Sequence, residues 1–180
     1  MQAHLGPLKC TGKIGIYPSD IELEEKRALE KRLNSLNETL MEYIISSLPS
    51  DYKKVNTDFG VVVYKLYKSS KNRHEALKIC TDDASFLHFP QPSNSEENLF
   101  YYDLVYPSAR HDSYTHDQAA IWLDISKAGS WSNWAKNAPS VSGNPYTTMI
   151  FKTGEREKNW NRVPTSYNHY YLCTAVFELY

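Results

Sequence analysis

Two separated stretches of the chain carry side chains that suit recognition of a polar partner. The first runs from Ser132 to Ser140, and the second is Trp160-Asn161-Arg162. Arg162 offers a planar guanidinium with five N–H donors, which matches the oxygens of carboxylate, sulfate or sialic-acid-like groups. It could meet such a group on a partner. The alternative, more common for an arginine on a solvated surface, is an ion pair with Glu155 or Glu157 of its own chain.

A second polar group lies between His111 and Asp117, where two histidines and two aspartates fall within seven residues. Imidazole and carboxylate groups are metal ligands. The histidines are five residues apart, however, a spacing that fits neither one face of a helix nor one face of a strand. The pattern therefore favours a polar loop over a metal site, and we predict no bound metal.

The residue patterns of common catalytic sites are missing from the sequence. It contains no phosphate-binding glycine loop, no G-x-S-x-G turn and no H-E-x-x-H pair. Glu96 and Glu97 are adjacent, so on a helix they point apart and cannot act as a catalytic carboxylate pair. We predict a non-enzymatic protein without a cofactor.

The composition excludes two further classes of protein. With a net charge of −1, the chain lacks the basic surface that binding to nucleic acid requires. No stretch approaches the roughly 18 consecutive apolar residues of a membrane-spanning helix. Residues 1–6 do not form a signal peptide, which fits either a cytosolic protein or a mature secreted one. Fourteen Tyr and four Trp, against six Phe, suit half-buried surfaces and interfaces.

Residues 1–49 precede the globular part and divide into an arm and a helix. Gly6-Pro7, Gly12, Gly15 and Pro18 predict an extended arm over residues 1–18. The arm holds Cys10, which is either a free thiol or the site of an interchain disulfide.

The neck, residues 19–49, contains the clearest predicted helix, over 19–48. This helix opens on the capping-box spacing of Ser19 and Glu22 and is ended by Pro49. Its apolar residues follow the alternating steps of a short coiled coil: Leu29, Leu33, Leu36, Leu40 and Tyr43. We favour self-association into a homo-oligomer through residues 21–48. The alternative is an amphipathic helix packed on its own domain.

Residues 50–180 are predicted to form one mixed α+β domain. The β-branched and aromatic run 59–67 indicates a strand, and 74–82 a helix. A second helix is expected over 96–105, followed by strands at 120–125, 149–152 and 170–177. The Ser, Asn, Gly and Pro content of 126–148 indicates a long loop. We call this loop, together with Trp160-Asn161-Arg162, the long-loop face.

Several stretches occur in the order found in the C-type lectin-like domain family, which residues 59–179 resemble. Calcium-dependent members carry S-N-W-x-x-x-E-P-N and W-N-D. The corresponding stretches here keep five framework residues: Asn133, Trp134, Pro139, Trp160 and Asn161. Further pieces resemble the family's cysteine-bearing helix (75–80), a collectin segment (93–98), the W-I-G-L strand (122–125) and the closing cysteine strand (171–174). The resemblance implies an α+β fold with two helices, small antiparallel sheets and a long loop, and a helical neck before such a domain is the collectin arrangement.

The resemblance also gives the cysteines a role. It implies a disulfide between Cys80 and Cys173, which joins the first helix of the domain to the last strand. The family's second, inner bridge falls at Tyr146 and Thr165, so that bridge is absent. The loop must then be held by packing, for which Trp131, Trp134 and Tyr146 are candidates.

The family's calcium site has lost its charged ligands in this sequence. Ala138 stands where the motif has Glu, Ser140 where it has Asn, and Arg162 where it has Asp. Calcium takes six to eight oxygens, with carboxylates supplying most of the affinity. The remaining candidate oxygens, on Ser140, Asn144 and Asn161, are neutral. The resemblance therefore implies a ligand site without calcium, for which the candidate residues are Trp134, Asn137, Ser140, Asn144, Asn161, Arg162 and Tyr167.

Taken together, the sequence predicts a secreted, extracellular recognition protein that binds a glycan or an extracellular protein without calcium. Asn37-Glu38-Thr39 is a glycosylation sequon, so Asn37 is a candidate modification site. One alternative is a structural role as a matrix or adhesive assembly protein. Another is a calcium-dependent lectin with a rearranged site.

Overall fold

The computed structural model describes residues 20–108, 120–125, 131–134, 146–151, 159–164 and 166–178. The chain forms two compact units, Met1–Leu40 and Met41–Tyr180. The predicted arm over residues 1–18, with Cys10, lies outside the described residues. The division into arm, neck and domain at residues 18 and 49 stays a prediction.

Helix α1 spans Asp20–Ser46, close to the predicted range. The last carbonyls of a helix have no partner within the helix itself. Here the hydroxyls of Ser46 and Ser47 donate to the carbonyl oxygens of Tyr43 and Ile44. Pro49 follows within one turn, so the helix ends where the sequence predicts. The apolar stripe of α1 is exposed to between 55% and 73%, at Leu29, Leu33, Leu36, Leu40 and Tyr43.

The described strands of the second unit form one sheet in the order β1-β2-β6-β3-β4-β5. Their bounds are Lys53–Thr57 (β1), Gly60–Lys71 (β2), Ala120–Leu123 (β3), Tyr146–Ile150 (β4), Trp160–Val163 (β5) and His169–Phe177 (β6). All neighbours are antiparallel except β3 and β6, whose parallel pairing at Ile121 and Tyr170 joins two antiparallel sheets into one mixed sheet.

The turn between β1 and β2 requires a glycine. Gly60 has a φ of 133°, which L side chains rarely adopt. A Cβ atom there would also lie 2.5 Å from the carbonyl oxygen of Phe177 on β6. The hairpin can therefore pack against the closing strand only because residue 60 has no side chain.

Two helices pack on opposite faces of the sheet. Helix α2 spans Arg73–Asp83 and is capped by Asn72, whose side chain accepts from the Glu75 amide. Helix α3 spans Ser95–Val105 and is capped by Asn94, and one 3₁₀ turn follows it. On the α2 side the core includes Val63, Ala76, Cys80, Trp122, Val163, Tyr171 and Cys173. On the α3 side it includes Val62, Tyr101, Tyr102, Val105, Leu123, Met149, Trp160 and Leu172.

The expected disulfide is present. Cys80 of α2 is bonded to Cys173 of β6, at a sequence separation of 93. Both residues are fully buried. The bridge therefore fixes α2 to the central part of the sheet.

Strands β1 and β5 are not predicted from the sequence, and β4 starts earlier than predicted. Strand β1 is not predicted because Lys53, Lys54 and Asn56 are polar. The side chains of these residues are exposed, which is possible because β1 lies at the edge of the sheet. Strand β5 was missed because only its first and last residues, Trp160 and Val163, are apolar and buried. The predicted loop 126–148 also extends too far, because β4 already begins at Tyr146. The two residues that follow Tyr146 are threonines, which are β-branched and favour a strand.

Candidate functional site

Trp160, the first residue of β5, is the anchor of the long-loop face. Its side chain is fully buried, and its indole N–H donates to Oδ1 of Asn98 at 2.8 Å. Asn98 lies on α3 and is itself buried, so a helix on one side of the sheet fixes the ring's orientation. The backbone N–H of Trp160 donates to the carbonyl oxygen of Asn133 at 2.7 Å. Residue 160 is thereby tied to the stretch 131–134.

Two further tryptophans pack edge-on against Trp160. The ring centroids lie 5.1 Å away for Trp131 and 5.8 Å away for Trp134, with interplanar angles of 83° and 88°. Both rings are half-buried. The expectation that Trp131 and Trp134 help hold this region by packing is thus met in the described residues. Each ring keeps part of its surface toward solvent.

Arg162 lies over Trp134. Its guanidinium carbon is 5.3 Å from the centroid of the indole ring, a cation–π contact. Successive side chains of a strand point to opposite faces of the sheet, so Arg162 shares the face of Trp160. The structure thus brings together two of the predicted ligand residues, Trp134 and Arg162. Within the described ranges, Arg162 forms no ion pair, and Glu155 and Glu157 lie outside those ranges.

Asn161 is turned the other way. Its side chain falls on the opposite face of the strand from that of Arg162, and its Oδ1 accepts the backbone N–H of Arg162 at 2.9 Å. That oxygen is therefore already engaged within the strand.

The remaining predicted ligand residues are placed as follows. Tyr167 lies in the turn after β5, with its ring 6.2 Å from that of His169 and 41% of its surface exposed. Asn137, Ser140 and Asn144 lie outside the described residues. The polar cluster 111–117 also lies outside them. In the stretches that are described, no group of three or more His, Cys, Asp or Glu side chains could hold a metal ion.

Arg73, at the start of α2, is a further residue near the long loop that the sequence does not single out. Its Nη2 donates to Oδ1 of Asp124 at 2.7 Å, just after β3, and its guanidinium carbon lies 4.6 Å from the ring centroid of Tyr146, which opens β4. Gln91 donates to the Asp124 carbonyl oxygen at 2.6 Å. Arg73 therefore contacts a residue on each side of the long loop. Asp124 was the available signal, since the family's W-I-G-L strand has glycine there.

A second polar cluster lies near the start of β1, away from this face. The hydroxyls of Tyr52 and Tyr67 both donate to Oδ2 of Asp83, at 3.0 and 2.5 Å. Burial raises the pKa of Tyr52, and the Asp83 carboxylate raises it further. Burial acts to lower the pKa of Lys65, but its hydrogen bonds to Asp51 and Tyr67 and the charge of Asp83 raise it overall. Each group is held by its neighbours, so the cluster fastens β2 to α2.

Comparison with solved structures identifies the fold. Human lithostathine superposes with a TM-score of 0.54 and 13% identity, over 72% of this chain and 99% of that one. The C-type lectin CEL-I from Cucumaria echinata superposes with a TM-score of 0.55 and 16% identity, over 72% of this chain and 98% of that one. The fold is that of a C-type lectin-like domain.

Sequence comparison gives a match to part of the chain. A perlucin-like protein from Mytilus galloprovincialis is 29% identical over 104 residues. The aligned part is 53% of this chain, and the chain spans 63% of the length of that relative. No family model matches the sequence.

The C-type lectin-like fold agrees with two coarse predictions. Domains of this fold are non-enzymatic, as the sequence predicts. Those that carry disulfides are typically extracellular, and Cys80–Cys173 is such a bond. Among the described helices, none combines the length and apolar character needed to cross a bilayer.

Proposed function

We propose that this is a secreted recognition protein that binds a glycan or an extracellular protein through the long-loop face, without calcium. The observation that carries the proposal is the position of Arg162. It stands where calcium-dependent members of the family have the aspartate of W-N-D, and its guanidinium lies over Trp134. The framework of a binding face is retained while its metal-binding charge is reversed.

Two features of β5 argue against calcium at the family's position. A fixed positive charge at Arg162 opposes a divalent cation, and the repulsion grows where solvent is excluded. The carboxamide oxygen of Asn161, which would be a calcium ligand, accepts the Arg162 amide instead. Calcium would have to share this oxygen with the hydrogen bond and displace the guanidinium, with no carboxylate from residues 160–162 to compensate.

The comparisons support a recognition role in general terms. CEL-I is a C-type lectin with the same fold, and the two tryptophans that pack against Trp160 give this chain an apolar base for a ligand. Neutral sugars bind to half-exposed aromatic rings through their C–H faces. Acidic groups bind to arginine.

Binding to a glycan array in calcium and in chelator tests the proposal. We expect the full chain to bind a subset of glycans equally well in both conditions. Loss of binding in chelator would support the calcium-dependent alternative with a rearranged site. No glycan or protein ligand, combined with concentration-dependent self-association, would support the structural alternative.

We also propose that residues 21–48 associate with a second copy of the chain. The leucines of α1 are exposed at coiled-coil spacing, and a stripe with this spacing is complementary to itself. The seam is short, so an interchain disulfide at Cys10 would add to its stability. Holding copies together would strengthen binding by a shallow site through avidity.

Sedimentation of the full chain with and without reductant tests this association. We expect an oligomer that dissociates when Leu33 and Leu36 are both changed to Gln. Leu99→Gln is the matched control, because Leu99 is an exposed leucine on α3. A monomer in both redox conditions would refute the association, and an oligomer unaffected by the double substitution would place the interface elsewhere.

A further inference from the structure

Two arginines of the second unit lie over aromatic rings. The guanidinium carbon of Arg73 is 4.6 Å from the ring centroid of Tyr146, and that of Arg162 is 5.3 Å from the ring centroid of Trp134. An aromatic ring that packs against a guanidinium fixes the orientation of the guanidinium plane. The N–H groups at the edge of the guanidinium stay free to donate. The two sites thus present the same donor group on the same kind of support.

The two arginines differ in what they bind. Arg73 donates to the Asp124 carboxylate at 2.7 Å, and this pair is largely buried. Arg162 has only the ring contact in the part of the chain that the structure describes. The Arg73 site therefore shows, in this same molecule, that a guanidinium packed against an aromatic ring can bind one carboxylate.

We infer that Arg162 receives the carboxylate or sulfate group of an acidic sugar while Trp134 contacts the apolar face of the sugar ring. This inference rests on the proposed function and narrows it to one class of glycan. A guanidinium has donors and no acceptor, so it gains most from a charged oxygen. The chain's net charge of −1 gives no general attraction for anions. The preference for an acidic sugar therefore arises from the local charge of Arg162.

The chemistry of the described residues favours an acidic sugar over an acidic peptide. The described face consists of one guanidinium and two half-buried indoles around the buried Trp160. An acidic sugar can contact the guanidinium with its charged group and the indole with the apolar face of its ring. An acidic peptide would contact only the guanidinium.

The test compares immobilised polymers of galactose, sulfated galactose and sialylated galactose, each measured in chelator. We expect the charged polymers to bind about tenfold or more tightly than unmodified galactose, as charge-assisted hydrogen bonds imply. Arg162→Gln should remove this difference, and Arg162→Lys should restore only part of it, because lysine keeps the charge and loses the planar fork. Lys68→Gln is the matched control, since it removes one exposed positive charge elsewhere.

Three results would overturn the inference. Equal binding of charged and neutral galactose would leave the proposed function standing and remove the acidic preference. A gain of charge preference only after Glu155 and Glu157 are both changed to Gln would show that Arg162 is occupied by its own chain. Displacement of the sulfated polymer by a polyglutamate peptide as effectively as by free sulfated galactose would identify an acidic protein as the ligand class.

Discussion

Arg73 and Asp124 form an ion pair across the α2 face of the sheet, with Nη2 and Oδ1 2.7 Å apart. The side chains are only 16% and 25% exposed. Arg73 also lies over Tyr146, the position of one cysteine of the inner bridge in two-bridge relatives. A non-covalent contact between Arg73 and Tyr146 thus lies where the family resemblance places the inner disulfide.

Removing one partner of this pair should cost more than the pair contributes. We expect Arg73→Met or Asp124→Asn to lower the free energy of unfolding by about 2 kcal/mol, because each leaves a largely buried polar group without its partner. The double variant should cost less than the two single changes added together. Urea denaturation of all three variants provides the measurement.

The control for this cycle is the exposed pair Lys78–Asp82 on α2, whose side chains are 66% and 62% exposed. Asp82→Asn should change stability by only a few tenths of a kcal/mol, up to about 1. Strict additivity of the Arg73 and Asp124 substitutions would contradict the coupling.

Loss of the Cys80–Cys173 bond should destabilise the domain strongly. The bond closes a loop of 93 residues. On the chain-entropy model, its removal lowers the free energy of unfolding by about 4 kcal/mol. We expect this loss for the double variant Cys80→Ser/Cys173→Ser in thermal or urea denaturation. Cys10→Ser, outside the bridge, should leave the stability of the monomer unchanged, and an equal loss there would be inconsistent with the bridging.

Stability should fall in alkaline solution because of buried tyrosines. Burial raises the pKa of Tyr101 from 10.0 to about 12, and burial with the Asp83 carboxylate raises that of Tyr52. Below pH 10.0 these phenols are protonated in both states, so their contribution is fully present. Above it the unfolded chain releases protons that the folded chain retains. The contribution of Tyr101 is therefore lost between pH 10.0 and about 12.

Chemical denaturation at several alkaline pH values measures this slope, which should be about 1.4 kcal/mol per pH unit for each such tyrosine. Tyr101→Phe should make the slope shallower. Tyr43→Phe, at a residue that is 73% exposed, should leave it unchanged. An identical slope for the Tyr101 variant would refute the assignment.

Local patterns in the sequence predict most of the fold. Helices α1, α2 and α3 and strands β2, β3 and β6 are all carried by runs or motifs that can be read within a few residues. The disulfide follows from the family resemblance. Strand β5 could not be predicted in this way. Trp160-Asn161-Arg162-Val163 has no continuous apolar run, and it is a strand because it pairs with β4.

The candidate site depends on contacts between distant residues, which a single sequence does not reveal. Trp160 and Asn98 are 62 residues apart, and Arg73 and Asp124 are 51 apart. The sequence identified Arg162 and Trp134 as candidates because family motifs mark both positions. It could not show that Asn161 turns its oxygen toward its neighbour, since that depends on the strand's register and its unpaired edge.

The edge strand β5 has a consequence for solubility. An open sheet edge is a template on which other chains can add strands and aggregate. On β5 the two amides that point away from β4 are already bonded, Trp160 N–H to the Asn133 carbonyl and Arg162 N–H to the Asn161 side chain. At the opposite edge, β1 carries the exposed Lys53 and Lys54. The sheet can therefore display a recognition surface beside one edge without offering that edge to amyloid-like stacking.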